Sequence, residues 1–478
     1  MSRGETLYRN APIWAQRLLL NGYGLRRELH SLGRPCRAAV ARLRQRERWG
    51  VDETRDYQDR RVRDVVQVAY ARSRYYREIM DAAGLGPEDI RGVTDLPKLP
   101  LLTRSIVRER QSDLLTARRP RPSWRHGHTS GTTGSPLSVW YDRRTCVENN
   151  AQDRRQKIWG GMEDGEWIGV FLGRVIVPPQ QHSPPYWRAN VVQREVWFSS
   201  FHMSEQTLDA YLAEIRRRRL RFLEGYPSTL FILATFLRRT AQTLPMRAVF
   251  TSSETLHPVQ RDAIETAFRC PLFDFYGLAE RTIFAGECEA HAGRHVAEDF
   301  GYTEVVDDQG RSVPAGTWGY LVGTSLHNVA MPMLRYRTND VSRVLEAPCS
   351  CGRASRVLDP VTTKAEDVIV TPDGRLISPS VLTHPFKPFD KIIKSQVIQE
   401  APDRVLVKLV AASDFTQVQQ DALVAGLQAR LGGDVLIEVI QVDDIPPERS
   451  GKYRWVISQV DTGYSPPWER FAGAPPPS

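Results

Sequence analysis

The 478-residue sequence has no long apolar run. Its best apolar stretch, residues 230–237, is far shorter than the ~18–20 residues that a helix needs to cross a bilayer. The first ten residues, MSRGETLYRN, also lack the apolar segment and the small-residue cleavage site of a secretory signal. We therefore expect a cytoplasmic protein with no integral membrane contact.

Cysteine is scarce, with six residues in the whole chain. So few thiols exclude a disulfide-dense scaffold and favour a reducing compartment. Three of them lie in two short motifs, Cys288-x-x-His291 and Cys349-x-Cys351, and two Cys/His pairs can supply the four ligands of a closed zinc site. We expect a structural zinc here, with His295 as an alternative to His291. The competing interpretation is reduced thiols without a metal.

Acidic residues are too few to balance the basic ones, and the net charge is +9. The excess includes arginine runs at residues 118–121 and 216–219. One interpretation is an anionic partner such as a phosphorylated substrate, and the other is a solvated basic surface. Because no signature of a nucleic-acid-binding module accompanies the charge, we do not expect a nucleic-acid partner.

Apolar residues make up 41% and charged residues 25% of the chain, which is sufficient for a large packed core. From residue 167 onward, short apolar runs alternate with helical patterns. This alternation predicts an α/β fold with mostly parallel sheets, in which ligands bind at the carboxyl ends of strands. The predicted strands are residues 167–172, 221–227, 246–254 and 271–277, and the predicted helices between them are residues 204–219 and 257–269.

The patterns divide the chain into three parts. Residues 1–60 form a helical N-terminal extension, and apolar residues at three-and-four spacing predict one helix over residues 62–83. A change of composition near residue 360 separates a large domain, residues 61–360, from a small, mobile α+β domain, residues 361–478. Within the small domain, EDVIVTPDGRLI is typical of a hairpin that turns at Asp373 and Gly374.

Hydroxyl and glycyl residues are concentrated in HTSGTTGSPLSVWYD, residues 128–142. Small residues let a backbone approach phosphate closely, and their N–H and O–H groups donate hydrogen bonds to phosphate oxygens. The loop differs from the phosphate-binding loop of nucleoside triphosphatases because Ser135 stands where that loop carries lysine. By itself the segment is either a phosphate-binding loop or a Ser/Thr-rich surface turn.

Four short motifs follow one another along the chain: TSGTTGSP (129–136), FYGLAE (275–280), RYRTND (335–340) and PPERSGKYRWV (446–456). Together they resemble the adenylate-forming superfamily of acyl-coenzyme A synthetases, luciferases and peptide-synthetase adenylation domains. Within it, the chain is most similar to phenylacetate–coenzyme A ligases and their relatives in bacterial capsular polysaccharide clusters. The segments EGYPS, GECEAHAGRHVAED, GTSLHNVAMPMLRYRTND and CSCGR carry this closer resemblance, which spans about residues 60–460.

The resemblance implies a nucleotide site. Tyr276 would stack on adenine, and Asp340 would accept hydrogen bonds from both ribose hydroxyl groups. Lys364 stands where the family usually has arginine, so it keeps the charge but loses the planar fork. Further nucleotide contacts are implied for Thr129, Ser130, Gly131, Thr132, Thr133, Gly134, Ser253, Glu254, Phe275 and Gly277.

The resemblance also implies the catalytic groups. Glu280 would coordinate Mg²⁺, which prefers oxygen ligands. Lys452 would neutralise the charge that develops as a substrate carboxylate attacks the α-phosphorus of ATP. The small domain would then rotate about Glu366. The acyl pocket is expected to include Tyr226, Pro227, Ser228 and Phe250.

Three functions are compatible with these residues. The first is an AMP-forming acid–thiol ligase, which makes an acyl-adenylate, releases pyrophosphate and transfers the acyl group to coenzyme A. The second passes the adenylate to an amine or hydroxyl acceptor such as a sugar. The third is a nucleotide-binding protein without turnover, because Ser135, Ala279 and Lys364 depart from the family pattern. The expected ligands are ATP or AMP, Mg²⁺, coenzyme A, a small carboxylate and structural Zn²⁺, and a homodimer is one of the oligomeric states left open.

Overall fold

The computed structural model describes residue 8 and residues 11–128, 137–173, 176–178, 181–363, 369–377, 379–386, 389, 391–412, 414–445 and 455–460. In these ranges, no helix combines the length and the apolar character that crossing a membrane requires. The predicted phosphate loop, the residues around the predicted hinge and Lys452 lie outside them, so their structural roles stay predictions.

Twelve α-helices fall within the described residues. They are α1 (Ile13–Arg27), α2 (Arg34–Arg46), α3 (Val51–Arg72), α4 (Arg74–Ala82), α5 (Arg104–Glu109), α6 (Gln111–Leu114), α7 (Arg143–Trp159), α8 (Glu205–Arg217), α9 (Pro227–Arg239), α10 (Pro258–Phe268), α11 (Pro379–Phe386) and α12 (Gln417–Leu431). A π-helix, Glu28–Leu32, follows α1, and short 3-10 helices cover Pro87–Asp89, Val93–Lys98 and Ser200–His202.

The strands form five sheets in the described part of the chain. They are β1 (Arg125–His128), β2 (Ser138–Tyr141), β3 (Ile168–Phe171), β4 (Trp187–Asn190), β5 (Glu195–Phe198), β6 (Phe222–Gly225), β7 (Ala248–Ser252), β8 (Leu272–Gly277), β9 (Phe284–Glu287), β10 (Arg294–Val296), β11 (Gly301–Val306), β12 (Gly319–Ser325), β13 (Tyr336–Ser342), β14 (Val357–Leu358), β15 (Thr362–Thr363), β16 (Ile369–Val370), β17 (Leu376–Ile377), β18 (Ile392–Ala401), β19 (Arg404–Ala411), β20 (Leu436–Gln441) and β21 (Val456–Ser458).

The largest sheet has nine strands in the order β14-β10-β9-β8-β7-β6-β3-β5-β4. Its middle strands, β5, β3, β6, β7 and β8, run parallel, and the outer strands at both sides are antiparallel. Strands β3, β6 and β7 are buried along their whole length, as expected for parallel strands covered on both faces. The predicted α/β class with mostly parallel strands is confirmed.

The first helix packs on the antiparallel edge strand β4. Gln16 accepts hydrogen bonds of 2.8 and 2.5 Å from the guanidinium of the buried Arg188, and Asn21 donates one of 3.1 Å to the carbonyl of Ala189. Gly24 allows the close approach, because a Cβ there would lie 2.5 Å from the side-chain oxygen of Asn190. The N-terminal helices are therefore part of the folded body around the large sheet.

Two of the other sheets have four strands each. Strands β11, β12, β13 and β15 form an antiparallel sheet that carries RYRTND on β13. In the last part of the chain, β18, β19, β20 and β21 form a four-stranded sheet packed against α12. Strands β16 and β17 pair as the predicted hairpin, with Gly374 at a φ of 78° in its turn.

One prediction about a helix differs from the structure. The single helix predicted over residues 62–83 is two helices, because Ser73 is extended and its hydroxyl donates a 2.7 Å hydrogen bond to the carbonyl of Asp113. The domain limit after residue 60 falls within α3, Val51–Arg72. Both domain limits, after residues 60 and 360, stay predictions.

Candidate active site

A cleft of about 820 Å³ opens where the parallel strands end. Strands β6, β7 and β8 contribute the residues at their carboxyl ends, as expected for a ligand site in an open α/β sheet. Of the predicted site residues, four line this cleft: Tyr226, Ser253, Phe275 and Gly277. The structure thus brings together the loops that follow three neighbouring strands.

Tyr276 lies between two cleft residues but faces the other side of its strand, since side chains alternate along a strand. Its hydroxyl donates a 2.7 Å hydrogen bond to Oδ2 of Asp340 on β13. Burial raises the pKa of Asp340 to about 6, Tyr276 opposes this shift by its hydrogen bond, and the charge of Glu280 adds to it. The two residues predicted to hold adenine and ribose are therefore in direct contact.

Glu280 is almost completely buried just after strand β8. Its Oε1 accepts a 2.6 Å hydrogen bond from the hydroxyl of Tyr336, the first residue of β13. Burial, followed by the charge of Glu280, raises the pKa of Tyr336 well above its ordinary value, so the hydroxyl stays a donor. Each of the two carboxylates therefore accepts a hydrogen bond from one tyrosine: Glu280 from Tyr336, and Asp340 from Tyr276.

A third tyrosine contact lies beside Glu280, and the sequence did not indicate it. The hydroxyl of Tyr141 donates a hydrogen bond to the carbonyl of Ala279, and the guanidinium of Arg281 lies 4.0 Å from the centre of the Tyr141 ring. Tyr141 and Arg281 both line the cleft. Ala279 has no side-chain hydroxyl. Its backbone carbonyl is held by Tyr141, which lies on β2, the strand that follows the predicted phosphate loop.

The predicted acyl-pocket residues lie in three different surroundings. Tyr226 lines the cleft. Pro227 begins α9, and the backbone and hydroxyl of Ser228 both donate 3.1 Å hydrogen bonds to the carboxylate of Glu254. Phe250 is fully buried between Phe222 and Phe273 and does not line the cleft. Phe250 lies on the same face of the sheet as the cleft residues Glu224 and Ser252, packed in the core beside them, and its place in the acyl pocket stays a prediction.

A charged group on the cleft wall was not predicted. The ammonium of Lys157 on α7 lies 2.8 Å from Oδ2 of Asp153 and 2.8 Å from Oε2 of Glu224 on β6. Burial alone would lower the pKa of Lys157, but the two carboxylates outweigh burial and raise this pKa above its ordinary value. All three side chains line the cleft. Asp153 and Lys157 are spaced like an ordinary i, i+4 surface pair, and nothing in the local sequence indicates Glu224 as their partner.

Three cysteines and one histidine form a compact cluster at the edge of the large sheet. The ligand atoms of Cys288, His295, Cys349 and Cys351 all lie within 4.8 Å of one another. The sulfur atoms of Cys288 and Cys349 are 3.7 Å apart, and that of Cys351 is 3.3 Å from Nε2 of His295. In a tetrahedral site with Zn–S bonds of about 2.3 Å, neighbouring ligand atoms are about 3.5–3.8 Å apart. The donor set and its spacing fit Zn²⁺.

The hydrogen bonds around the cluster orient its ligands. Nδ1 of His295 lies 2.9 Å from the hydroxyl of Ser355, which leaves Nε2 directed at the sulfur of Cys351. Burial lowers the pKa of His295 to about 4, so its imidazole is neutral at physiological pH. The backbone N–H of Ala290 donates to the sulfur of Cys288 over 3.4 Å.

The structure places His295, and not His291, in this cluster. His291 sits in a tight turn with a φ of 49°, and its N–H donates to the carbonyl of Cys288. The turn directs the imidazole away from the sulfur atoms, toward Phe273 and to 3.4 Å from the carboxylate of Glu287. The prediction that His291 is the ligand is therefore wrong, and the alternative, His295, takes its place.

The remaining predicted site residues lie outside the described residues. They are Thr129, Ser130, Gly131, Thr132, Thr133, Gly134, Lys364, Glu366 and Lys452.

The profile of the CapK C-terminal domain matches residues 369–459. Over longer stretches, the chain is similar to the phenylacetate–coenzyme A ligase of Thermus thermophilus, with 27% identity over 67% of this chain and 72% of the relative. It is also similar to protein CapK of Staphylococcus aureus, with 23% identity over 95% of this chain and 99% of the relative.

A similar fold is found among solved structures. The chain superimposes on 2-hydroxyisobutyryl-coenzyme A ligase, solved with its acyl-AMP and coenzyme A in the thioesterification state, with a TM-score of 0.62. The match covers 87% of this chain and 92% of the other, at 20% identity. At that identity the likeness concerns the fold.

Proposed function

Because this chain is a member of the adenylate-forming superfamily, close to the phenylacetate–coenzyme A ligases and CapK, we propose that it activates one carboxylic acid and transfers it to coenzyme A. As an AMP-forming ligase, it joins the acid to AMP and releases pyrophosphate. One observation carries the proposal: Tyr276, Asp340, Glu280 and Tyr336 meet beside the cleft at the carboxyl ends of the parallel strands.

Two bond exchanges make up the reaction. In the first, an oxygen of the substrate carboxylate attacks the α-phosphorus of ATP, an acyl–phosphate bond forms, and pyrophosphate leaves. In the second, the sulfur of coenzyme A attacks the acyl carbon, the thiol loses its proton, and AMP leaves. The adenylate conserves the free energy of ATP hydrolysis until the thiol arrives.

The described residues support distinct roles in these steps. Asp340, with an ionised carboxylate above pH about 6, would accept hydrogen bonds from the ribose hydroxyls. The buried carboxylate of Glu280 suits Mg²⁺, which supplies positive charge beside the phosphates when bound. Lys452 would neutralise charge at the α-phosphorus, which typically contributes about 10²–10³ in rate.

The test is exchange of labelled pyrophosphate into ATP with a panel of carboxylic acids, with and without coenzyme A. We expect acid-dependent exchange, and a thioester only when coenzyme A is present. Lys452→Ala should abolish exchange while nucleotide binding remains, and the control Lys391→Ala, which removes a surface lysine paired with Asp414, should leave exchange unchanged. Absence of exchange with every acid would favour a nucleotide-binding protein without turnover.

Direct transfer of the acyl group to an amine or hydroxyl acceptor is the second candidate. It is favoured by the similarity to CapK, which spans almost the whole chain, whereas the similarity to the phenylacetate–coenzyme A ligase covers about two thirds of it. Arg26, Arg27 and Arg125 line the cleft and suit an acceptor that carries phosphate. Exchange that yields an amide or ester with an added amine or sugar, and no thioester, would select this function.

From the spacing of their ligand atoms, we also propose a structural Zn²⁺ held by Cys288, His295, Cys349 and Cys351. The cluster joins the turn after β9 to the loop that precedes β14, and both strands belong to the sheet that carries β8. A closed site with four protein ligands leaves no position for a substrate. Zinc would therefore fix the sheet edge beside the nucleotide-binding strand without taking part in the reaction.

A further inference from the structure

The cleft wall contains more acidic charge than an apolar acyl group would require. Asp153, Glu195 and Glu224 line it from α7, β5 and β6, and Lys157 is the basic residue in contact with two of them. Four arginines, Arg26, Arg27, Arg125 and Arg281, line other parts of the same cleft, so the excess of carboxylates is confined to the surroundings of Lys157. An aryl ring beside the buried carboxylate of Glu224 would offer no donor to the acceptor sites that Lys157 does not fill, and leaving such sites unpaired costs free energy.

The carboxylate of Glu224 is the central group. Its side chain is only 11% exposed, and one oxygen, Oε2, contacts Lys157 at 2.8 Å. Glu224 stands near the carboxyl end of β6, two residues before Tyr226, which also lines the cleft. Its position at a strand end directs the carboxylate into the space where the substrate of the proposed reaction would lie.

The neighbouring carboxylates have different partners. Asp153 shares the Lys157 ammonium, and Oε2 of Glu195 accepts a 2.6 Å hydrogen bond from the indole of Trp197. Two arginines of the cleft have partners of their own: Arg281 lies on the Tyr141 ring, and Arg27 donates to Gln193 at 3.3 Å. One ammonium therefore serves the buried carboxylate of Glu224 and the partly exposed carboxylate of Asp153, which leaves acceptor capacity on the cleft wall.

We propose that the acid substrate carries a hydroxyl or amino group that donates a hydrogen bond to Glu224, so that polar acids are preferred over arylacetic and alkyl acids. This inference rests on the proposed adenylation. A site with a buried acceptor discriminates strongly against an analogue that lacks the donor, because that analogue leaves the acceptor desolvated and unpaired. Discrimination between two apolar acids that differ by one methylene is much weaker.

The test uses two matched series of acids in the pyrophosphate exchange assay of the full chain. One series is phenylacetate, 4-hydroxyphenylacetate and 4-aminophenylacetate, and the other is butyrate, 3-hydroxybutyrate and 3-aminobutyrate. Within each series the size is nearly constant and the donor changes. We expect a donor-bearing member of at least one series to exceed its apolar parent by about tenfold or more in kcat/KM. The hydroxyl and amino members distinguish a neutral from a cationic donor.

Glu224→Gln tests whether this residue makes the distinction. It keeps the shape but removes the charge, and we expect the preference for the donor-bearing acid to fall by about tenfold or more. Glu214→Gln is the matched control, since Glu214 on α8 is also a buried carboxylate but is paired with Arg217 at the end of that helix and with Arg218 just after it. Thermal unfolding of both variants monitors folding, and the ratio of kcat/KM values for two acids cancels any loss of active protein.

The outcomes separate the two proposals. Exchange with phenylacetate or butyrate that equals or exceeds exchange with their donor-bearing analogues refutes the polar substrate and leaves adenylation intact. A preference that survives Glu224→Gln unchanged refutes the role of Glu224. Absence of exchange with both series and with the wider panel counts against adenylation itself. In that case, binding of the acids measured by thermal shift still compares the donor-bearing members with their parents.

Discussion

The hydrogen bond between Tyr276 and Asp340 predicts a specific pH dependence of ribose binding. Burial raises the pKa of Asp340 to about 6, whereas the phenol of Tyr276, 2.7 Å from Oδ2, favours the ionised form and opposes that rise. Above pH 6 the carboxylate accepts hydrogen bonds from ribose, and below it the proton competes for the same oxygens. Adenosine affinity should therefore decrease as the pH falls through about 6.

Tyr276→Phe keeps the ring and removes only the hydroxyl. A hydrogen bond to a charged acceptor contributes about 1.5–3 kcal/mol, and one pKa unit corresponds to about 1.4 kcal/mol. The midpoint of adenosine binding should consequently move upward by about one to two pH units. The sign is fixed by the chemistry, since loss of a donor destabilises the carboxylate and leaves the carboxylic acid unaffected.

The measurement is adenosine binding by calorimetry across a pH series. Adenosine carries the ribose without a titrating phosphate, so the titration reports the protein. Asp340→Asn should remove the midpoint, and Tyr302→Phe, which alters a half-buried tyrosine elsewhere, should not move it. An unchanged midpoint in Tyr276→Phe would refute the coupling between the two residues.

Three other perturbations test the structure. His295→Ala and Cys351→Ser should each lower the zinc content measured by mass spectrometry, whereas His291→Ala should retain the metal; equal loss in both histidine variants would contradict the ligand set. Arg335→Ala should lower the free energy of unfolding by about 3–5 kcal/mol, because it leaves the buried Glu304 without its partner. In the same urea titration, Arg311→Ala, which breaks an exposed pair with Asp307, should cost less than about 1 kcal/mol. Gln16→Ala should lower the melting temperature through a loss of about 1–3 kcal/mol, since the buried guanidinium of Arg188 loses an acceptor. Gln417→Ala, at an exposed position of α12, should have no comparable effect.

Much of the fold could be predicted because buried parallel strands leave continuous apolar runs in the sequence. Strands β3, β6, β7 and β8 lie within the four predicted segments, and the helices between them agree as well. The break at Ser73 could not be predicted, because it depends on a hydrogen bond to Asp113, 40 residues further along the chain.

The candidate site could be predicted where its residues stand in short sequence motifs. Tyr276 and Asp340 were selected from separate motifs, and the structure brings them into contact. The choice between His291 and His295 depended on a turn with a positive φ, which the spacing of cysteines does not encode. Glu224 could not be identified as the partner of Lys157 from the sequence. The two residues meet only because the folded chain packs α7 against β6.

The contact between Gln16 and Arg188 joins residues 172 positions apart, and this separation matters during synthesis. At 5–20 residues per second, roughly 9–34 s pass between the appearance of the first helix and that of its partner strand. Helices form in about a microsecond, so the segment is folded locally long before β4 exists. During that interval, Leu20 and the apolar residues near it have no core to join. The apolar face of the N-terminal helix therefore stays uncovered on the ribosome until β4 has been made.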